Sequence, residues 1–217
     1  MTTFEFQGII LSEPITAFTN LLLAVLCTYA YFQVKIYSDF NGRTSWGYFF
    51  LFLGISTLAG AFAHLFSAYD MLAVNLFGWS FSGFSAYHGI NASIEQLTGK
   101  VTGLNSFLTK ITFVLFLITL FWLKVFAVVL VITIIFIVVT VTIQGYGSVT
   151  KKLKGSGLIL IGFLLATITA VLRLLKISID PQWVNHHDVA HILMMVVIWL
   201  ILRGVRKASI ESEISMD

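Results

Sequence analysis

The chain has 217 residues, of which 58% are hydrophobic and 11% are charged, and its mean hydropathy is +0.95. This charged fraction is about half that of a soluble domain, so the composition excludes a soluble enzyme and predicts an integral membrane protein. The formal net charge of +3 comes from cations dispersed along the chain, which argues against a nucleic-acid-binding face.

The domain organisation is expected to be simple. We predict an all-α fold, with a short N-terminal segment (1–12), a seven-helix transmembrane bundle (13–207) and a disordered polar C-terminal tail (208–217). The one cysteine, Cys27, excludes an intrachain disulfide. Residues 1–14 contain no Lys or Arg, so a cleavable signal peptide is not expected and the first helix should remain.

Seven apolar runs can be placed along the chain, because a bilayer core requires about 20 apolar residues per helix. They lie near 14–35, 46–68, 71–95, 105–122, 125–146, 155–176 and 187–206. The stretch 106–145 would otherwise form one helix about twice as long as the hydrocarbon is thick. A tight turn is therefore predicted at Trp122-Leu123-Lys124, where an interfacial tryptophan precedes a lysine.

The basic residues predict the orientation. With seven spans, three cations fall on one side of the membrane: Lys124, Arg173 and Lys176. The other ten fall on the opposite side: Lys35, Arg43, Lys100, Lys110, Lys151, Lys152, Lys154, Arg203, Arg206 and Lys207. The positive-inside rule then predicts an outer N-terminus and an inner C-terminus. The compact chain favours a bacterial plasma (inner) membrane.

Histidines are concentrated where the last run begins, in Asn185-His186-His187-Asp188-Val189-Ala190-His191. His187 and His191 are one helical turn apart and project from one face, and the second run ends on the same side near His64. Three histidines with an open fourth position are typical of a catalytic zinc site. Asp188 or Asp70 could orient an imidazole, or Asp70 could itself bind the metal.

Simpler interpretations of the same residues remain open. An i,i+4 histidine pair is often only a wet helix face, and His186 or Asp188 could be solvated or cap the helix. Small residues before His64 favour a bundle-facing position: Ala59, Gly60, Ala61 and Ala63. His88 lies about 25 Å along the third run, too deep for the same metal, and a hydrogen bond with Tyr87, Asn91 or a neighbouring hydroxyl is expected.

These motifs resemble the seven-transmembrane hydrolase superfamily called CREST, which includes alkaline ceramidases and adiponectin-type receptors. His187-x-x-x-His191 resembles the paired zinc ligands of that superfamily, and His64 matches the position of the third. His186 is an alternative ligand to His187, although its five-residue spacing to His191 turns it further from the shared face. Glu13-Pro14-Ile15-Thr16-Ala17-Phe18-Thr19-Asn20 is similar to the stretch that opens the first helix in ceramidases. The resemblance implies a zinc-dependent lipid hydrolase of seven spans.

The chain departs from the superfamily pattern at several positions. Gly60 stands where the pattern has a serine, although Ser56 could substitute for it. The aspartate at the start of the third helix has no clean counterpart, since Asp70 comes early and residue 75 is asparagine. The calcium-binding acidic cluster of ceramidases is reduced to Glu5 and Glu13, so calcium is not expected.

The leading functional hypothesis is a zinc-dependent membrane hydrolase acting on an amide or ester bond of a lipid. His64, His187 and His191 would hold zinc, Asp70 or Asp188 would move the proton, and Ser56 or Ser67 would stabilise the oxyanion.

Two alternatives remain: a receptor-like or lipid-binding protein with a structural zinc, and a proton-coupled transporter. The transporter is less favoured, because the chain shows no repeat and no pair of broken helices. A retinal photoreceptor is excluded, because residues 188–202 contain no lysine.

Overall fold

The computed structural model describes residues 3–37, 39–180 and 183–214, with side chains described as far as Ile210. These residues form a β-hairpin followed by seven helices. The strands are β1 (Thr3–Phe6) and β2 (Ile9–Ser12). The helices are α1 (Pro14–Ile36), α2 (Arg43–Leu65), α3 (Leu72–Thr98), α4 (Gly103–Leu123), α5 (Ala127–Thr150), α6 (Ser156–Leu174) and α7 (His186–Ile214).

The predicted apolar runs coincide with these helices. Each boundary lies within four residues of its predicted position, except the end of α7, so the predicted all-helical bundle is confirmed. The prediction of a disordered tail is wrong for residues 208–214, which continue α7. Burial of Ala208 and Ser209 against the bundle explains the longer helix, while residues 215–217 lie outside the described part of the chain.

The β-hairpin was not anticipated from the sequence. Its strands pair antiparallel from Thr3 with Ser12 to Phe6 with Ile9, around a turn in which Gln7 and Gly8 both have positive φ. Most of its side chains are exposed. The backbone N–H of Ile10 donates to the Tyr69 hydroxyl (3.0 Å), which connects the hairpin to the α2–α3 loop.

The predicted turn between the fourth and fifth runs is confirmed. Helix α4 ends at Leu123, and Lys124 takes the left-handed conformation with φ +54°. Its N–H donates to the Leu120 carbonyl (2.8 Å), a hydrogen bond that closes the last turn of the helix. The apolar stretch is thereby divided into two helices of membrane-spanning length.

Six helices form a closed ring, in the order α1, α2, α3, α5, α6 and α7, with α7 returning to α1. Helix α4 packs outside this ring against α3 and α5, and it buries only Phe116 and Leu120. The largest fully buried side chains include Trp46, Phe50 and Ile198. Because α1 contacts both α2 and α7, the start of α7 and the end of α2 meet at one end of the bundle.

Close approach of α6 and α7 depends on glycine. Gly155 caps α6 with φ +74°, and a Cβ at this position would overlap the Gly204 carbonyl oxygen of α7. Two helices can approach this closely only where side chains are absent. The contact fixes α7 against α6 at the end of the bundle opposite the histidines.

By length and composition, six of the seven helices could cross a membrane. Helix α3 is the exception, because it carries many glycine, serine and asparagine residues. It lies among α2, α4 and α5, where small and polar residues can face other helices. The architecture is that of a helical membrane protein.

Candidate functional site

Three histidines meet where α1 and α7 begin and α2 ends. The ring centroid of His64 lies 5.2 Å from that of His187 and 6.4 Å from that of His191. These three side chains are called the histidine cluster below. The structure therefore brings together the three histidines that the sequence predicted to share one depth.

His186 occupies a different position. Its ring lies 4.1 Å from the ring of His187, its chain neighbour, and no ring contact with His64 occurs in the described structure. The structure therefore favours His187 over His186 as a member of the cluster. This distinction was left open by the sequence.

Glu13 binds the His64 side chain. Its Oε2 lies 2.5 Å from Nδ1 of His64, and the two side chains are 13% and 25% exposed. The hydrogen bond with His64 lowers the pKa of the Glu13 carboxyl below its usual value, although burial acts in the opposite direction. An ionised carboxylate can only accept, so Nδ1 of His64 carries a proton and donates it to Glu13.

Thr19 connects His191 to Asp188. The Thr19 hydroxyl oxygen lies 3.0 Å from Nδ1 of His191, 3.4 Å from Oδ1 of Asp188 and 3.1 Å from the Thr16 carbonyl oxygen. The carboxylate and the carbonyl can only accept, so the single hydroxyl proton points toward them. Nδ1–H of His191 then donates to the hydroxyl oxygen, which leaves the lone pair on Nε2.

Asp188 also caps its own helix. Its Oδ2 accepts from the N–H of Asn185 (2.9 Å), and Oδ1 of Asn185 accepts from the N–H of His187 (2.7 Å). This reciprocal pair is a capping box that fixes the first turn of α7. Asp188 is 0% exposed, so of the two simpler interpretations the structure supports capping and excludes solvation.

Asn185 continues the network to α1. Its side-chain Nδ2 donates to the hydroxyl of Thr16 (3.2 Å). Thr16 and Thr19 are three residues apart and therefore lie on the same face of α1. That face holds the start of α7 in place, and with it two of the three clustered histidines.

One nitrogen of the cluster lacks a partner. Nδ1 of His187 is buried and makes no hydrogen bond within the described residues. A buried polar atom without a partner is costly, and a bound ion or water is one arrangement that would satisfy it. The cluster thus holds an unpaired Nδ1 on His187, whereas Nδ1 of His64 and of His191 have partners, so their Nε2 atoms are the ones that could bind a metal.

The packing of α1 against α2 explains why residue 60 is a glycine. A Cβ at Gly60 would lie 3.3 Å from Oδ1 of Asn20, a buried residue of α1 whose Nδ2 donates to the Thr16 carbonyl (3.2 Å). The Asn20 amide therefore fills the space beside α2 where the superfamily pattern has a serine. Substitution of Gly60 would push this amide away.

Three predicted catalytic residues, Asp70, Ser56 and Ser67, are not shown in contact with the cluster. Asp70 is exposed and its Oδ1 accepts from the N–H of Leu72 (3.0 Å), so it caps the start of α3. Ser56 precedes His64 by eight residues, which is about 12 Å along a helix. The third, Ser67, is exposed beyond the end of α2. Of the catalytic residues predicted, Asp188 alone joins the network.

His88 lies in an aromatic environment. Its ring centroid is 5.1 Å from Tyr48, 5.3 Å from Phe52 and 5.1 Å from Tyr87. The expected hydrogen bond to Tyr87 or Asn91 does not occur in the described structure, and Oδ1 of Asn91 has no partner there. The proton relay through His88 that a transporter would require has no hydrogen-bonded path in the described residues.

The site also contains residues to which the sequence analysis gave no role. Glu13, Thr16 and Thr19 fall in the stretch that carried the resemblance, but that stretch was given no role. These three residues are spaced three apart, which predicts that their side chains share one face, and this spacing was the signal present in the sequence. On the neighbouring helix, Arg173 in the last turn of α6 lies over the ring of Phe126 at 5.2 Å.

The described residues contain no group of three or more His, Cys, Asp or Glu side chains with the geometry of a preformed metal site. Three imidazoles around one tetrahedral zinc ion, each bound at about 2.0–2.1 Å, would have centroids roughly 5 Å apart. The 5.2 Å pair in the cluster matches this spacing, and the 6.4 Å pair is about 1 Å wider. The side chains therefore fit a metal in number and chemistry, but they are not in a closed ligand arrangement.

The fold and the site define a helical membrane protein with a buried, ionisable polar network at one end of its bundle. Residues 15–210 match the DUF6962 family, described as a family of unknown function, and the chain belongs to that family. The match extends from α1 to α7 and so includes every member of the histidine cluster. No curated protein and no solved structure gives a significant match.

Proposed function

We propose that this protein is a zinc-dependent membrane hydrolase that cleaves an amide or ester bond of a lipid. The observation that carries the proposal is the histidine cluster, in which Glu13 and Thr19 occupy Nδ1 of His64 and His191. Histidine ligands of metals are typically held through their second nitrogen in this way, by a carboxylate or another hydrogen-bonding group.

Seven membrane spans support the location of the site. Helices α2 and α4 are both apolar enough to cross, and α2 ends just before α3 whereas α4 begins just after it. A helix of 27 residues is about 40 Å long, so α3 can connect the two faces and acts as the seventh span. The excess of cations at the opposite end supports an outer position for the histidine cluster and the N-terminus.

The depth of the cluster suits a lipid bond. His64 is the residue before the last of α2, and His187 is the second residue of α7. Residues at the ends of spanning helices lie near the boundary between hydrocarbon and headgroups, where ester and amide linkages of lipids are found. A lipid carbonyl can reach this site without leaving the membrane.

Zinc fits the residues that the structure brings together. His64, His187 and His191 would hold it, and the unpaired Nδ1 of buried His187 is the atom for which the protein itself supplies no partner. When bound, zinc would polarise the lipid carbonyl and supply a water of pKa near 7. Glu13 and Thr19 keep the Nδ1 protons of His64 and His191, so that both rings present Nε2.

Proton transfer is assigned to Glu13. Asp188 is fully buried and is engaged by Thr19 and Asn185, so it orients the network. Glu13 is the partly exposed carboxylate of the site and is held in its ionised form by His64. With zinc bound, Oε1 of Glu13 would be the carboxylate oxygen that takes the proton of the attacking water and returns it to the nitrogen or oxygen that leaves.

Metal analysis of the purified full-length protein tests this proposal. We expect about one equivalent of zinc in the wild type and less than half an equivalent in His191→Ala. His88→Ala is the matched control, because His88 lies among aromatic rings, and it should keep its zinc. Zinc below half an equivalent in the wild type, or zinc unaffected by His191→Ala, would remove the basis of the mechanism.

A structural zinc in a receptor-like or lipid-binding protein is the second candidate. One observation favours it. Glu13 and Asp188 already accept hydrogen bonds, and Asp70 and Ser56 lie elsewhere, so the site, as far as its residues are described, has no carboxylate or hydroxyl that is free for catalysis. Incubation of the zinc-loaded protein with ceramide and with an ester lipid separates the two. Turnover that is lost in Glu13→Gln supports the hydrolase, whereas retention of unaltered lipid supports the binding protein.

A further inference from the structure

The N-terminal β-hairpin carries an apolar face. Four large apolar side chains project to one side of it: Phe4, Phe6, Ile9 and Leu11. The register accounts for this arrangement, because paired residues of antiparallel strands project to the same side and the set consists of two such pairs. Neighbouring residues along each strand, such as Glu5, project to the opposite side. These four side chains are called the apolar face of the hairpin below.

The described part of the bundle leaves this face largely uncovered. The exposed fractions of its side chains are 50% for Phe4, 62% for Phe6 and 47% for Ile9. The hairpin meets the bundle elsewhere, through the backbone N–H of Ile10, which donates to the hydroxyl of Tyr69 (3.0 Å). Exposed apolar side chains that are adjacent on one face indicate an interaction surface.

The hairpin lies at the level where the spanning helices end. Glu13 alone separates β2 from α1, and its side chain binds His64, whose ring lies 5.2 Å from that of His187 at the start of α7. Just before α7 begins, Trp183 is exposed. Tryptophan is enriched at membrane–water boundaries, so the end of the bundle that carries the hairpin lies at such a boundary.

Lipid is the partner that reaches the hairpin at this position. Helix α1 exposes Phe18, Leu22 and Val25, which recur at helical spacing and so form one lipid-facing side. The lipid-exposed surface of the bundle therefore extends to within about two helical turns of the hairpin. Glu5 is the one charged residue of the two strands, and it lies on the opposite side from the apolar face. An apolar face with polar residues opposite is typical of segments that lie in the membrane interface.

We propose that the apolar face of the hairpin binds the lipid surface at this end of the bundle and anchors the N-terminal segment there. Its side chains insert at the boundary between headgroups and acyl chains, and Glu5 projects toward water. Because β2 leads directly into Glu13, the anchor also holds the backbone that carries the carboxylate bound to His64. The anchor goes beyond the proposed hydrolase function, since it requires neither zinc nor turnover.

Fluorescence quenching in the full-length protein tests the anchor. Phe6→Cys and its matched control Glu5→Cys are each labelled with the fluorophore NBD and placed, one copy per particle, in phosphatidylcholine nanodiscs. Cys27 is 0% exposed and should not react, and the unaltered chain measures any background labelling. Because neighbouring residues of a strand face opposite sides, nitroxide-labelled lipids should quench the label at position 6 about threefold more than the label at position 5. Iodide in the water should give the reverse order.

Further variants show whether the apolar side chains hold the label in the lipid. Phe4→Ser combined with Ile9→Ser in the Phe6→Cys chain should lower the lipid quenching to that of Glu5→Cys, whereas Thr3→Ser, on the opposite side, should leave it unchanged. Equal quenching of the two labelled positions, or lipid quenching that survives the double serine substitution, would overturn the proposal. Shielding of position 6 from iodide only in particles that hold two copies would also overturn it, since the face would then bind a second chain.

Discussion

Two polar networks lie inside this bundle, and they differ in chemistry. The histidine cluster joins α1, α2 and α7 at one end. Toward the other end, Nε2 of Gln144 on α5 donates to Oε1 of Gln96 (2.8 Å) and to the Ser93 hydroxyl (3.3 Å), both on α3. We call this second group the amide network. Each network connects helices that are far apart in the sequence.

Unpaired atoms occur in both networks and so do not distinguish them. Oε1 of Gln144 lacks a partner in the described residues, as does Nδ1 of His187. The two networks differ in charge. The amide network consists of neutral groups, whereas the histidine cluster is flanked by two carboxylates, Glu13 beside His64 and Asp188 near His191. Neutral hydrogen bonds between membrane helices serve packing, but buried ionisable groups are costly and indicate function.

The largest expected effect is on metal binding by the cluster. His187→Ala should lower zinc affinity by about 1000-fold, roughly 4 kcal/mol, because it removes one of three ligands. His186→Ala should leave the affinity within about threefold, a difference of under 1 kcal/mol, because the His186 ring lies against His187 rather than His64. Competition with a chromogenic chelator measures both. Equal losses in the two variants would show that His186 is also a ligand.

Removal of the fully buried carboxylate should be the next largest effect. Asp188→Ala leaves the N–H of Asn185 without its acceptor and removes one of the two acceptors of the Thr19 hydroxyl, and should lower the free energy of unfolding by about 3 kcal/mol. Asp70→Ala removes an exposed cap and should cost about 1 kcal/mol or less. Unfolding in mixed micelles checks the ranking, and similar losses would show that Asp188 is no more than a cap.

A smaller effect is expected from the hydroxyl that holds His191. Thr19→Val keeps the side-chain shape but removes the partner of Nδ1, and should weaken zinc binding about tenfold. Thr28→Val, on the same helix, removes a hydroxyl that donates only to the Ala24 carbonyl, and should leave zinc binding unchanged. An unchanged affinity in Thr19→Val would contradict the orienting role.

The smallest effect is expected in the amide network. Gln144→Leu should lower the free energy of unfolding by about 0.6 kcal/mol, the average worth of a hydrogen bond between membrane helices. Zinc content should stay the same, because the amide network shares no residue with the histidine cluster. A loss of zinc in this variant would mean that the two networks are coupled, and the comparison between them would fail.

Much of the fold could be predicted because hydropathy reflects the surrounding solvent. The seven runs and the turn at Lys124 followed from the length that a bilayer requires. Spacing along one helix likewise predicted that His187 and His191 share a face. The β-hairpin escaped prediction because its strands have four residues each, too few for a periodic signal. The end of α7 was misplaced because polar residues continue it beyond the apolar run.

The sequence alone was enough to predict a helical membrane protein with histidines at one end. Composition and the helical spacing of residues can be read without knowing which helices are neighbours. Only the tertiary structure decided the partners: Glu13 for His64 and Thr19 for His191. The two hydrogen bonds join residues that are far apart in the sequence, and their lengths depend on how the helices pack. Asp70, by contrast, caps the start of α3 through a local hydrogen bond with the N–H of Leu72.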